Sequence, residues 1–271
     1  EAIRKIKMRQ LYNGAVTLWD GEGREDWWTT IYAAHFLLEA RKAGFEVDNS
    51  LLSTMLNYIT NKLKNRETIT YYYNRDQNKK IAPKEVAYGL YVLALAGKTN
   101  VPAMNYYKSN TALLALDSRY LLAAAYATAG DKRSFSSMLP ASFSGEESVP
   151  QTGGSYYSDI RDEAIALNAL LEVDPGNAQV GTMVKHVAAK LKSRRWLSTQ
   201  ERAFAFLALG KHARMANNST ATAEIKVNGK TVGKVDEKSW TADMKTLGGN
   251  NIEIAAKGNG RLYYFWQAEG I

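Results

Sequence analysis

The sequence predicts a mainly α protein: an α/α toroid of alternating inner and outer helices, followed by a small all-β segment. Three observations carry this. Five helix-length stretches are apolar on nearly every face, as buried helices are. The segments between them carry at most a single apolar stripe, as helices with one solvated face do. From Asn217 the texture changes to short alternating strands punctuated by Asn-Gly and Gly-Asn-Gly turns.

Residues 3–11 read as a short amphipathic helix through Ile3, Ile6, Met8 and Leu11, and a glycine-rich loop then carries Trp19 toward the first inner helix. That helix begins at Trp27 and Trp28, runs through Ile31, Tyr32, Ala34, Phe36, Leu37 and Leu38, and stops at Gly44. Asp48 is placed to cap its outer partner, whose stripe is Leu51, Leu52, Met55, Leu56, Ile59 and Leu63. An irregular connection, 67–82, contains the β-like run ITYYYN, which predicts an extended arm or hairpin.

Pro83 suits the first turn of the second inner helix, 86–96, which Gly97 ends. Pro102 opens a more polar helix, and 117–129 is the third inner member, closed by Gly130. A short outer segment carries Phe135, Met138 and Leu139, and 141–155 is a Ser/Gly-rich surface loop. Ser158 or Asp159 caps the fourth inner helix, whose core is 164–171. An outer stripe follows at Val180, Met183, Val184, Val187, Ala188 and Leu191. Ser198 and Glu201 match a capping box ahead of the fifth inner stretch, AFAFLAL, residues 203–209. Apolar-all-round inner helices favour a closed ring over an open solenoid, which would leave one inner face wet. The expected division is 1–216 for the toroid and 217–271 for a small β domain or part of a split β-sandwich. In the tail, Ile225 and Val227 precede an Asn228-Gly229 hairpin turn, and NIEIAA with RLYYFWQ predicts a second hairpin.

Bulk properties narrow the chemistry. The chain has 271 residues, 45% of them hydrophobic, and a net charge of +8, seven units of which lie in residues 1–217. No basic run is interleaved with aromatics, so nucleic acid is not an expected partner. Cysteine is absent, which removes disulfides, zinc–thiolate sites and a thiol nucleophile from this chain. The three histidines, His35, His186 and His212, lie apart with no metal-binding spacing, so neither a metal nor another cofactor is expected.

Carboxylates at inner-helix starts are the first catalytic candidates: Asp26, Glu85, Asp117, Asp162, Glu163 and Glu201. Toroid-fold glycosidases work with two acids. Yet each position is also one where capping and the helix dipole favour a carboxylate, and no catalytic residue is assigned. A glycoside hydrolase or polysaccharide lyase is kept as an alternative. Aromatics near the same ends, Trp19, Trp27, Trp28, Tyr32, Tyr72 and Tyr156, either plug one end of the toroid or form a rim that binds sugars or a partner.

The stretch LWDGEGREDWWTTIYAAHFLLEARKAGFEV (18–47) resembles the bacterial alpha-macroglobulin family, whose toroid domain carries a glycine-rich loop with Trp and then a W-x-T-x-Y-x-x-x-F-L-L-x-A helix. SDIRDEAIALNALLEVDP (158–175) and LSTQERAFAFLALGKHAR (197–214) are similar to later helices of that domain in the same order. The tail, with AEIKVNGK and RLYYFWQAEGI, resembles the β segment that follows it. The resemblance implies a non-enzymatic part of a broad protease trap, periplasmic or associated with the cell envelope and often lipid-anchored in the parent protein. Its implied partners are proteases and the other domains of the same parent chain. Many members carry a thioester between Cys and Gln in a C-x-E-Q motif, which a chain without Cys cannot form. Two explanations stand: the motif lies upstream, since five inner helices are one short of the family's six hairpins, or the parent traps without a thioester. The second is preferred.

Overall fold

The computed structural model describes residues 1–21, 23–74, 77–144, 158–217, 221–236, 240–247 and 251–258. The chain forms two compact units, Glu1–Ala208 and Leu209–Ile271. The first is helical. Its short opening helix α1 (Ala2–Met8) buries no residue, and Arg9 already closes it. The inner helices are α2 (Trp27–Lys42), α4 (Lys84–Leu95), α6 (Leu116–Thr128), α8 (Arg161–Val173) and the start of α10 (Thr199–Asn217). Between them lie the outer helices α3 (Asn49–Lys62), α5 (Val101–Ser109), α7 (Lys132–Met138) and α9 (Val180–Ser193). This is the expected α/α toroid with a small β segment.

Local sequence explains most boundaries. The Asp26 carboxylate accepts from Thr29 N at 2.6 Å and starts α2. Gly44, at φ +88°, supplies the left-handed residue that ends it. Asp48, Asn100 and Asp131 cap α3, α5 and α7 through backbone N–H groups. In α4 every residue from Lys84 to Ala94 is buried, and in α8 every residue from Arg161 to Leu171 is buried. The largely buried α6 packs against both of them.

Two expectations are corrected in detail. Ala188 is exposed and the outer stripe of α9 narrows to Val180, Met183 and Val187 as its fully buried members, in a helix that packs against α8. In AFAFLAL, Phe204, Ala205 and Ala208 are buried while Phe206 is 65% exposed, so this inner helix shows one apolar residue to solvent. The arm at 67–82 forms a hairpin of β1 (Ile69–Asn74) and β2 (Gln77–Ile81), antiparallel from Ile69 opposite Ile81.

The loop before α2 is held more firmly than its glycines suggest. Gln10 pairs with Val16 and Val16 with Asp26 as isolated antiparallel bridges. Gln10 Nε2 donates to Thr54 Oγ1 at 2.9 Å and to Leu51 O at 3.0 Å on α3. Gly14, at φ +89°, sits so close to α3 that a Cβ there would lie 2.2 Å from the Thr54 carbonyl oxygen. Gly14→Ala is therefore expected to destabilise the helical unit by about 2–4 kcal/mol, read as a shift of the urea midpoint at unchanged slope. A midpoint like that of the unaltered chain would show that this contact is loose.

In the second unit, β3 (Thr222–Val227) lies between β4 (Lys230–Val235) and β5 (Ile252–Lys257), all antiparallel, with a short α11 (Met244–Leu247) before β5. Asn228 and Gly229 both take positive φ, 50° and 79°, as the two-residue turn requires. The strand expected at RLYYFWQ lies outside the described residues, and β5 pairs with β3. Among the described residues no helix is long and apolar enough to cross a membrane.

Candidate functional site

The N-terminal ends of the inner helices converge on a sealed ionic cluster. Lys84, the first residue of α4, places its Nζ 2.5 Å from Asp162 Oδ2 on α8 and 3.1 Å from Asp117 Oδ2 on α6. Arg161 grips the other oxygen of Asp162, with Nη2 at 2.8 Å and Nε at 3.0 Å. Ser158 N donates to Asp162 Oδ2 at 3.1 Å, completing that carboxylate's shell. All four ionic side chains are 5% exposed or less. Two cations and two carboxylates thus balance in a space nearly closed to water.

The cluster extends to both neighbours in the ring. Toward α2, the Arg161 guanidinium lies 4.9 Å from the Trp28 ring centroid, a cation–π contact that covers it. Toward α10, Arg161 Nη1 donates to Gln200 Oε1 at 3.3 Å and Ser158 Oγ donates to Glu201 Oε1 at 2.7 Å. Burial works to raise the Glu201 carboxyl, but hydrogen bonds from Ser158 and Ser198 outweigh it and hold it below the ordinary carboxylate range.

The six candidate carboxylates do different things. Asp26 and Glu201 are caps, Glu201 closing the box with Ser198 through Ser198 N at 2.7 Å. Glu85 lies buried in the first turn of α4. Glu163, 1% exposed, accepts from Lys190 Nζ at 2.8 Å and lies 3.0 Å from His186 Nδ1, tying α8 to α9. Asp117 and Asp162 come together on one ammonium group. A glycosidase pair must flank an open sugar site; these two are paired and 3% exposed. Their arrangement is that of a structural tie.

The candidate aromatics divide as well. Trp28 packs on Tyr88 at 5.1 Å between ring centroids, and Tyr32 meets Phe204 edge-on at 5.5 Å. Phe204 in turn lies 6.1 Å from Tyr88, so first and last inner helices meet through aromatic edges. Trp27 lies 5.4 Å from the Lys62 ammonium. Trp19, expected beside the buried helix, is 67% exposed, because its loop turns outward after the Thr17 hydroxyl donates to Trp19 O at 2.8 Å. Tyr72 is paired in β1, and Tyr156 lies outside the described residues. His35 is 2% exposed, with Nδ1 3.0 Å from Tyr88 Oη and Nε2 3.8 Å from Glu39 Oε1. With Tyr32, Phe36, Glu39, Ala203, Phe204 and Leu207 it lines a groove of about 160 Å³ between α2 and α10. Among the described residues no group of three His, Cys, Asp or Glu side chains is placed to hold a metal.

The residues that sequence reasoning missed are Lys84 and Arg161. Both are cations in the first turn of a helix, where the dipole disfavours them, and that conflict was the available signal.

No protein-family model matches the chain. In sequence it is 28% identical over 208 residues to the alpha-2-macroglobulin of Xylella fastidiosa (strain Temecula1 / ATCC 700964), covering 74% of this chain and 13% of that protein. It is 27% identical over 211 residues to the alpha-2-macroglobulin of Escherichia coli K12, covering 76% of this chain and again 13% of the relative. The chain is similar to the bacterial alpha-2-macroglobulins. In fold, the chain matches Salmonella alpha-2-macroglobulin reacted with methylamine at a TM-score of 0.64 and 21% identity, covering 94% of this chain and 16% of that one. It matches the native E. coli alpha-2-macroglobulin fragment from domain MG7 to the C-terminus at 0.65 and 20% identity, covering 94% and 38%. The chain thus spans about an eighth of the length of the curated relatives it matches.

Proposed function

We propose that the chain is a non-catalytic module of a longer, bacterial alpha-macroglobulin-type protease inhibitor, contributing to entrapment by conformational change without a thioester of its own. The observation that carries this is the sequence similarity over three quarters of the chain, in a sequence with no cysteine. The sealed pairing of Asp117 and Asp162 with Lys84 supports a scaffolding role over an acid–base one. On this proposal the partners are proteases and the other domains of the parent protein. The parent then resides in the periplasm or cell envelope, carried by a lipid anchor, which cell fractionation with an antibody to this chain tests.

The decisive experiment uses the parent protein with trypsin. Trapped trypsin is expected to keep cleaving a small chromogenic peptide while losing most of its activity on casein, with no covalent methylamine incorporated into this chain. Undiminished casein hydrolysis would overturn the proposal. Polysaccharide cleavage that disappears on Asp26→Asn or Asp162→Asn, in variants that still fold, would establish the glycosidase or lyase reading instead. Glycan binding abolished by Trp19→Ala or Trp27→Ala would establish the carbohydrate-binding one.

A further inference from the structure

The two carboxylates of the buried cluster are held very unequally. Asp162 has Lys84 at 2.5 Å, two contacts from Arg161 at 2.8 and 3.0 Å, and the Ser158 N–H at 3.1 Å. Asp117 has Lys84 at 3.1 Å. Both are buried to the same degree, so the desolvation that disfavours a carboxylate is offset at Asp162 and poorly offset at Asp117. From α4, Asp117 faces Lys84, with Glu85 next along that helix. From α8 it faces Asp162, whose like charge opposes its own, and Arg161 behind it; Glu163 on the same helix is occupied by His186 and Lys190. The charges Lys108 of α5 and Asp131 of α7, two other helices packed on α6, gather at the Ser134 hydroxyl instead.

We propose that Asp117 is a proton-uptake site that sets how many helices the Lys84 hub ties together. With Asp117 ionised, one ammonium links α4 to both α6 and α8. With it protonated, Lys84 keeps its ionic tie to Asp162, and α6 is held there by a neutral contact. Burial, opposed by Lys84 and reinforced by Asp162, pushes the Asp117 carboxyl up to about 6, so the change falls in a mildly acidic range. The folded chain then binds this proton more tightly than the unfolded chain does. The associated stability is fully present below the unfolded value near 4 and is lost as pH rises through about 6.

Two measurements on the whole 271-residue chain test this. Carbon-detected NMR of the Asp117 carboxyl is expected to titrate near 6; a midpoint below about 4.5 would overturn the proposal. Independently, the Tm of Asp117→Asn minus that of the unaltered chain is expected to rise by several degrees between about pH 4 and pH 7. The histidines cancel in this difference. A gap that does not change with pH overturns the proposal, and the NMR titration decides alone if the variant fails to fold.

Discussion

Lys84→Met is expected to destabilise the helical unit by about 3–5 kcal/mol at neutral pH, the range seen when one member of a buried ion pair is removed. Methionine fills most of the volume of the lysine stem, so little of the loss comes from a cavity. The loss comes from Asp117 and Asp162, which are left facing one another at 3% exposure, with Arg161 as the remaining cation on Asp162. In a unit of 208 residues this amounts to a drop in Tm of roughly 10 °C. The loss should also depend on pH. Without the ammonium the Asp117 carboxyl loses the charge that opposes its rise, so acidification protonates it and recovers part of the stability. Combining Lys84→Met with Asp117→Asn should recover part of it at neutral pH, since one stranded charge is gone. Differential scanning calorimetry of the single and double variants beside the unaltered chain checks both statements. If Lys84→Met melts within a degree or two of the unaltered chain, the cluster is not the tie between α4, α6 and α8 that its distances describe.

The same cluster marks where the sequence stopped being legible. Helices that are buried on all sides announce themselves through composition, which is why α4 and α8 could be read directly. The caps at Asp26, Asp48 and Glu201 were legible because they act within four residues of themselves. Asp117 and Asp162 were legible as helix-start carboxylates and were assigned to the dipole on that ground. What no local pattern encodes is that Lys84, 78 residues from Asp162, arrives between them. That pairing depends on how three hairpins stack around a ring. The Lys84 and Arg161 charges against the local dipole were a conflict, and such conflicts are resolved by tertiary partners or by function. The exposed Phe206 and Trp19 have the opposite origin. Hydrophobicity alone marked them as buried, but a helix on the seam of a ring and a loop that turns outward leave single large side chains in solvent at modest cost.

Phe204→Ala and Phe206→Ala, two residues apart in AFAFLAL, should differ by several kilocalories per mole. Phe204 is 1% exposed, with its ring 5.5 Å from Tyr32 and 6.1 Å from Tyr88. Tyr88 itself packs on Trp28 and bonds His35, so Phe204 is the residue through which α10 meets the aromatic core of α2 and α4. Truncation removes a buried ring and the edge contacts it makes, and costs of about 3–5 kcal/mol are usual for such a change. The value should fall at the lower end, because Phe204 also lines the groove between α2 and α10 and water can enter the space it leaves. Trp28 fluorescence should then become more accessible to a neutral quencher. Phe206, at 65% exposure, should give a change within about 0.5 kcal/mol and no change in quenching. Equal effects at the two positions would mean that α10 does not close the ring through Phe204. The ordering of the two variants in a urea titration therefore tests the seam itself, since composition and helix propensity are the same for both.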